Sequence, residues 1–129
     1  MKVLIKNIFL LFLLLGFIYS IICIISTHDI MVKTKRVIQG KEIVLDVKNP
    51  LYGISYNEKY FPEVKNIQGK VLRIFTWCGR KSGYIYILYW KKYIDVTGNV
   101  IYEAEWSDAK LVIEKVDGRW AIVDIYETP

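Results

Sequence analysis

Glu103 and Glu105 stand two apart in residues 100–106, a stretch that alternates apolar and polar side chains. On a strand that spacing puts both carboxylates on one side, as acid–base chemistry or a calcium site would require. They occupy the polar side of the alternation, however, which assigns them to solvent. The single histidine, His28, follows directly on an apolar N-terminal run, and Cys78 is the one thiol outside that run. A Cys–His or Ser–His pair needs a histidine within the domain, so nucleophilic catalysis of that type is excluded. One histidine and one usable cysteine do not complete a four-ligand zinc site. The eight glycines are scattered through turns and form no phosphate cradle. The residues therefore indicate no catalytic group, no metal, no cofactor and no enzyme. The pairs Arg80-Lys81 and Lys91-Lys92 could meet an acidic partner, or serve as a solvated turn and a strand end protected by charge.

Aromatic side chains are the other feature with binding potential. Fifteen of the nineteen lie beyond Ile25, and the four tryptophans, Trp77, Trp90, Trp106 and Trp120, fall on four different predicted strands. Buried together they would form an aromatic core covering one face of a sheet, at about 25 cal/mol per Å² of apolar surface removed from water. The alternative is an aromatic-lined cup for a small apolar or sugar-like ligand, with the same four residues as its binding candidates.

The elements that carry these residues follow from period-two alternation and turn signals. Residues 41–48 alternate and predict a short strand, broken by Asn49-Pro50 and Gly53. Residues 55–64 predict one short helix stopped by Pro62, or a loop with Tyr56, Tyr60 and Phe61 tucked under the sheet. Residues 70–78, 84–96, 100–106, 111–116 and 119–127 predict strands, and Asp117-Gly118 a two-residue hairpin turn. Short connections make consecutive strands antiparallel neighbours. The fold class is α+β, mainly β: an N-terminal transmembrane helix followed by a curved antiparallel meander of about five strands, with at most one or two short helices.

Of the 129 residues 53% are apolar, and the excess is concentrated in residues 8–25, which contain no charged side chain. As a helix the run reaches about 27 Å, enough with its flanks for a hydrocarbon core of about 30 Å. This divides the chain into a membrane anchor at residues 1–27, a stalk at 28–40 and a β-rich domain at 41–129; a chain beginning near Asp29 is expected to fold on its own. A cleaved signal, cut near Thr27, is the alternative; a lipoprotein reading of Cys23 fails because Ile22 stands where a small residue is needed. The short basic head, Lys2 and Lys6, favours a single-pass protein of the cell membrane with its C-terminal domain extracytoplasmic. Beyond Ile25 sixteen basic and thirteen acidic side chains mix, a solvated surface and not a nucleic-acid face. Lys33, Lys35 and Arg36 could lean on anionic headgroups. With one cysteine inside the apolar run and the other in the aqueous domain, no intrachain disulfide is expected.

The last stretch, Leu111-Val-Ile-Glu-Lys-Val-Asp-Gly-Arg-Trp-Ala-Ile-Val-Asp-Ile125, resembles the closing hairpin of small bacterial cystatin-like domains of the nuclear-transport-factor-two superfamily. The likeness spans about residues 70–129. It implies a curved sheet preceded by helices that help to close a conical pocket, in a family that includes both enzymes and binding modules; no catalytic residue of the family maps onto this chain. The combined expectation is a membrane-anchored, non-catalytic binding or interaction module of bacterial type at the outer face of the membrane. Its lipid contact is residues 8–25, and any protein partner is unidentified. Alternatives are an accessory subunit of a membrane complex acting through its transmembrane helix, and a secreted domain with an aromatic small-ligand pocket.

Overall fold

The computed structural model describes residues 1–128. Helix α1 (Lys2–Ser26) contains the apolar run and is one helix long and apolar enough to cross a membrane. Its only buried residue is Cys23, in the last turn. At Thr27 the chain turns into a second helix, α2 (His28–Ile38). The residues read as a stalk are thus helical. Ile30, Thr34, Val37 and Ile38, at i, i+4, i+7 and i+8, form its buried stripe. Thr34 fits this apolar stripe because its hydroxyl donates back to the Ile30 carbonyl at 2.8 Å, leaving only its methyl to be packed.

Four strands follow in one antiparallel sheet, ordered β1 (Val64–Cys78), β2 (Ser82–Asp95), β3 (Val100–Val116) and β4 (Arg119–Glu127). The class, mainly β with an apolar N-terminal helix, agrees with the sequence reading, whereas the strand count is four and not five. Residues 100–106 and 111–116 belong to one long strand, joined through a bulge where Trp106 takes φ 30°. Residues 41–48 form no strand. Their backbone donors go to other partners: the Lys41 N–H to the Arg36 carbonyl at 2.9 Å, the Val44 N–H to Ser55 Oγ at 2.8 Å and the Lys48 N–H to Asp46 Oδ1 at 2.9 Å. The short helix sits at Pro50–Ile54, a 3-10 turn capped by Asn49 and opened by Pro50, instead of within residues 55–64. Residues 55–63 take the looped alternative: Tyr56 and Phe61 meet the Tyr93 ring edge-on at 5.5 and 5.1 Å, while Tyr60 is exposed.

The core lies on one face of the sheet. Ile85, Ile87, Leu111 and Ile113 point inward from β2 and β3, against Ile30, Val37 and Ile38 of α2 and Leu51 and Ile54 of the 3-10 turn. The aromatic core is not formed. Trp77 and Trp106 are 47% and 52% exposed, and Trp90 and Trp120 only half-buried. The inward positions of β2 and β3 fall on branched aliphatic residues, while Trp77 pairs with Tyr84 and Trp90 with Lys70 on the alternate face, which no element among the described residues covers.

Candidate functional site at the helix–sheet junction

Thiol pairing is the largest departure from the sequence reading. Cys23 and Cys78 form a disulfide, with Cα atoms 5.9 Å apart and a sequence separation of 55. The expectation of two unpaired thiols treated the whole apolar run as out of reach of the domain. Cys23 is three residues from the end of α1, however, and β1 descends beside that end until Cys78 lies against it. Two further contacts fasten the same junction. Tyr19 donates its phenolic hydroxyl to the Cys78 carbonyl. Arg73, on the inward side of β1, donates from Nη1 to Thr27 Oγ1 at 2.9 Å and to the Ile24 carbonyl at 3.4 Å, capping the last turn of α1 with a positive charge. Burial alone lowers the Arg73 pKa. Thr27, fully buried, returns its own hydroxyl to the Cys23 carbonyl at 2.8 Å.

These contacts set a direction. From Arg73 to Cys78, β1 passes Thr27, Ile24, Cys23 and then Tyr19, so it runs antiparallel to α1 and carries its hairpin toward the apolar run. In the opposite sense α2 leads away, its end meeting the first half of β1: an added Cβ at Gly69 would stand 2.9 Å from the Ile38 carbonyl. Lys33, Lys35 and Arg36 therefore sit on a helix that leaves the end of α1, whereas Arg73 is bonded to that end and the hairpin turns of the sheet carry further basic residues toward the apolar run. Lys115 N–H donates to the Lys81 carbonyl at 2.8 Å, placing the β1–β2 and β3–β4 turns side by side. Ser26 and Asp29 share a cleft with Gly118 and Arg119.

The four tryptophans do not converge on a cup. Trp77 stacks on Tyr84 at 5.5 Å on the open face. Trp90 donates from Nε1 to Glu103 Oε1 at 3.1 Å, which also gives one of the paired carboxylates a partner. Trp106 projects from its bulge. Trp120 lies under the Lys115 ammonium, 5.3 Å from its ring, and lines a cleft of about 450 Å³ with Ile30, Leu51 and Ile122. That cleft lies between α2 and β4, and a second one of about 530 Å³, also bordered by Trp120 and Ile30, adjoins it toward Ser26 and Arg119.

A second polar centre was not legible in the Lys91-Lys92 pair. Lys91 is only 6% exposed and points inward among tyrosines, near the rings of Tyr93 and Tyr102 at 5.6 and 5.7 Å. Its ammonium donates to the Ile54 carbonyl at 3.1 Å. Burial lowers its pKa, partly offset by Glu127. Burial also pushes the Tyr93 phenol up to about 12, with Tyr102 and Tyr56 adding to the shift. The Lys91 amine is engaged by a carbonyl and flanked by ring faces, an arrangement that pins the 3-10 turn to β2. Among the described residues no group of three or more His, Cys, Asp or Glu is placed to hold a metal ion. No family model matches the chain, and a search of curated proteins finds no similar sequence.

Proposed function

We propose that this chain is a single-pass membrane protein whose β-rich domain is held rigidly at the outer face of the membrane and works there as a non-catalytic interaction module. The observation that carries this reading is the Cys23–Cys78 disulfide, which ties the helix able to cross a membrane to the end of β1. Disulfides persist in oxidising compartments, which supports an extracytoplasmic domain, in the orientation that Lys2 and Lys6 favour. Retention of α1 is also supported, because Cys23 and Thr27 are integral to the packing of the domain. Binding is favoured over catalysis because both thiols are consumed in the disulfide, His28 is exposed at the start of α2, and the Lys91 amine is occupied. The surface best suited to a partner is the uncovered sheet face, with Leu72, Phe75, Trp77 and Tyr86 each 41% exposed or more. A helix before an antiparallel sheet is in keeping with the cystatin-like likeness, which we retain as a proposal.

The test is topological. A reporter active only outside the cytoplasm, fused after Pro129, is expected to be active, with the full-length product retained through carbonate extraction. Activity confined to a cytoplasmic reporter would reverse the orientation, and a product starting near Thr27 would replace the anchor with a cleaved signal.

A further inference from the structure

We infer that the β1–β2 and β3–β4 hairpin end of the sheet is a second membrane contact, seated in the headgroup layer of an anionic leaflet beside α1. The inference rests on the anchored reading above and adds which surface of the domain touches lipid and with what chemistry. The Tyr19–Cys78 contact fixes the depth. Tyr19 lies seven residues before the end of α1, about 10 Å along the helix axis at 1.5 Å per residue. If the hydrocarbon core ended at Ile25, the level of Tyr19 would lie about 9 Å inside it, a depth at which the charges of Arg80 and Lys81 in the adjoining turn are costly. The junction therefore sets the outer edge of the core near Tyr19, and the hairpin end, held at that level, lies in the headgroup layer and not in bulk water.

Side chains at that end have the types this layer selects. Phe75 and Trp77, 52% and 47% exposed, project from the last turns of β1 on the face that no element among the described residues covers. Tryptophan is enriched at the headgroup level because its ring is apolar and its N–H wet. Arg80 and Lys81 are exposed in the adjoining turn, and Lys115 and Arg119 flank the neighbouring one. Such charges are drawn to an anionic surface, offset locally here by Glu114 and Asp117. The opposite end of the sheet, at the Asp95 to Val100 turn, carries no basic residue among positions 95–100. An anionic lipid surface fits the charge and the aromatic content together, and the disulfide delivers the hairpin to it.

Two measurements on the full chain in vesicles test this. In a protein keeping only Trp77 (W90F, W106F and W120F), emission should be quenched by lipids spin-labelled near the headgroup. A protein keeping only Trp106, equally exposed but ten residues from the β3–β4 turn, should remain quenched mainly by aqueous iodide. In the unmodified chain, amine labelling of Lys81 and Lys115 should slow on transfer from detergent to vesicles containing anionic lipid, with Lys65 and Lys70 unchanged. Replacing Arg80 and Lys81 by Glu should abolish most of the Trp77 quenching. A chain that stays in vesicles through carbonate but shows Trp77 open to iodide and Lys81 labelled as in detergent overturns this inference and leaves the anchored reading standing. Extraction by carbonate overturns both. Protection of Trp77 in detergent as well, with a dimer trapped by cross-linking, would give the face to a second copy and contradict the lipid assignment.

Discussion

Arg73 Nη1 donates to Thr27 Oγ1 at 2.9 Å, so the first residue beyond the membrane-directed helix is held by the middle of the first strand. The contact lies on the side of the junction away from the Tyr19–Cys78 bond, with the disulfide between them. A tether would need none of the three. Together they make the direction of α1 and the direction of β1 one geometric fact, and the orientation of the sheet relative to a membrane follows from it.

The disulfide makes the two cysteines equivalent. Cys23→Ser and Cys78→Ser should each lower stability by about 2 to 4 kcal/mol, and the double variant by no more than either alone, because one covalent loop is lost in every case. Thermal melts of the purified full chain in detergent check this. A Cys78→Ser change without effect would mean that the Cys23–Cys78 bond contributes nothing to stability.

Core substitutions should rank by burial and not by side-chain size. Leu111→Ala, at a site with no exposure, is expected to cost about 2 to 5 kcal/mol. Trp120→Ala should cost less, about 1 to 2 kcal/mol, since the indole is only half-buried and its outer face carries Lys115. Denaturant midpoints of the two variants would decide the order, and a larger loss for Trp120→Ala would reinstate an aromatic core.

Alkaline pH should unfold the domain through its buried phenols. The Tyr93 pKa, raised from 10.0 to about 12, and that of Tyr89, raised further by burial and by its hydrogen bond to Glu127, both favour the neutral phenol in the folded state. Their contribution is complete below the unfolded value near 10 and is lost as pH rises from there through about 12. Tyrosinate absorbance at constant ionic strength should therefore rise in two stages, the second coinciding with loss of the circular dichroism of the fold. Tyr93→Phe should move that second stage to higher pH.

Lys91 works in the opposite sense. Its folded pKa lies below the usual 10.5, so burying the charged form is a penalty at neutral pH that is relieved as pH rises from the folded value toward 10.5. Lys91→Met should be most favourable relative to the parent at neutral pH, and that advantage should shrink steadily as pH approaches 10.5. A difference between the two chains that is flat over this interval would mean that Lys91 keeps solvent at its ammonium.

The strands were legible because runs rich in β-branched and aromatic residues bounded by turn signals are a local property, but the buried face was not: residues 84–90 are apolar on both faces, and only the packing shows that Ile85, Ile87 and Tyr89 point inward. The Asp117-Gly118 turn is legible for the same reason, and both residues take the positive φ, 52° and 78°, that a tight hairpin requires. Helix α2 was hidden by composition, since its stripe includes Thr34, and a threonine counts as polar until its hydroxyl is seen bonded to Ile30. The aromatic core failed because a large side chain on a strand says nothing about which face an adjoining helix will cover. The Cys23–Cys78 pair was hidden by treating an apolar run as a uniform slab; a cysteine in its last two turns is within reach of whatever packs on the end of the helix. Lys91 could not be distinguished from Lys92 by type, only by register, with Lys91 opposite Ala104 on the inward side.

The most direct measurement is a count of thiols, because the chain holds two cysteines. Membranes containing the protein are denatured with an alkylating agent present, then reduced and exposed to a second, heavier one, and the intact mass is read. Rigid attachment of α1 to β1 predicts no adduct of the first reagent and two of the second on a monomeric chain. Two adducts of the first reagent, or one adduct pattern shared by disulfide-linked dimers, would contradict it.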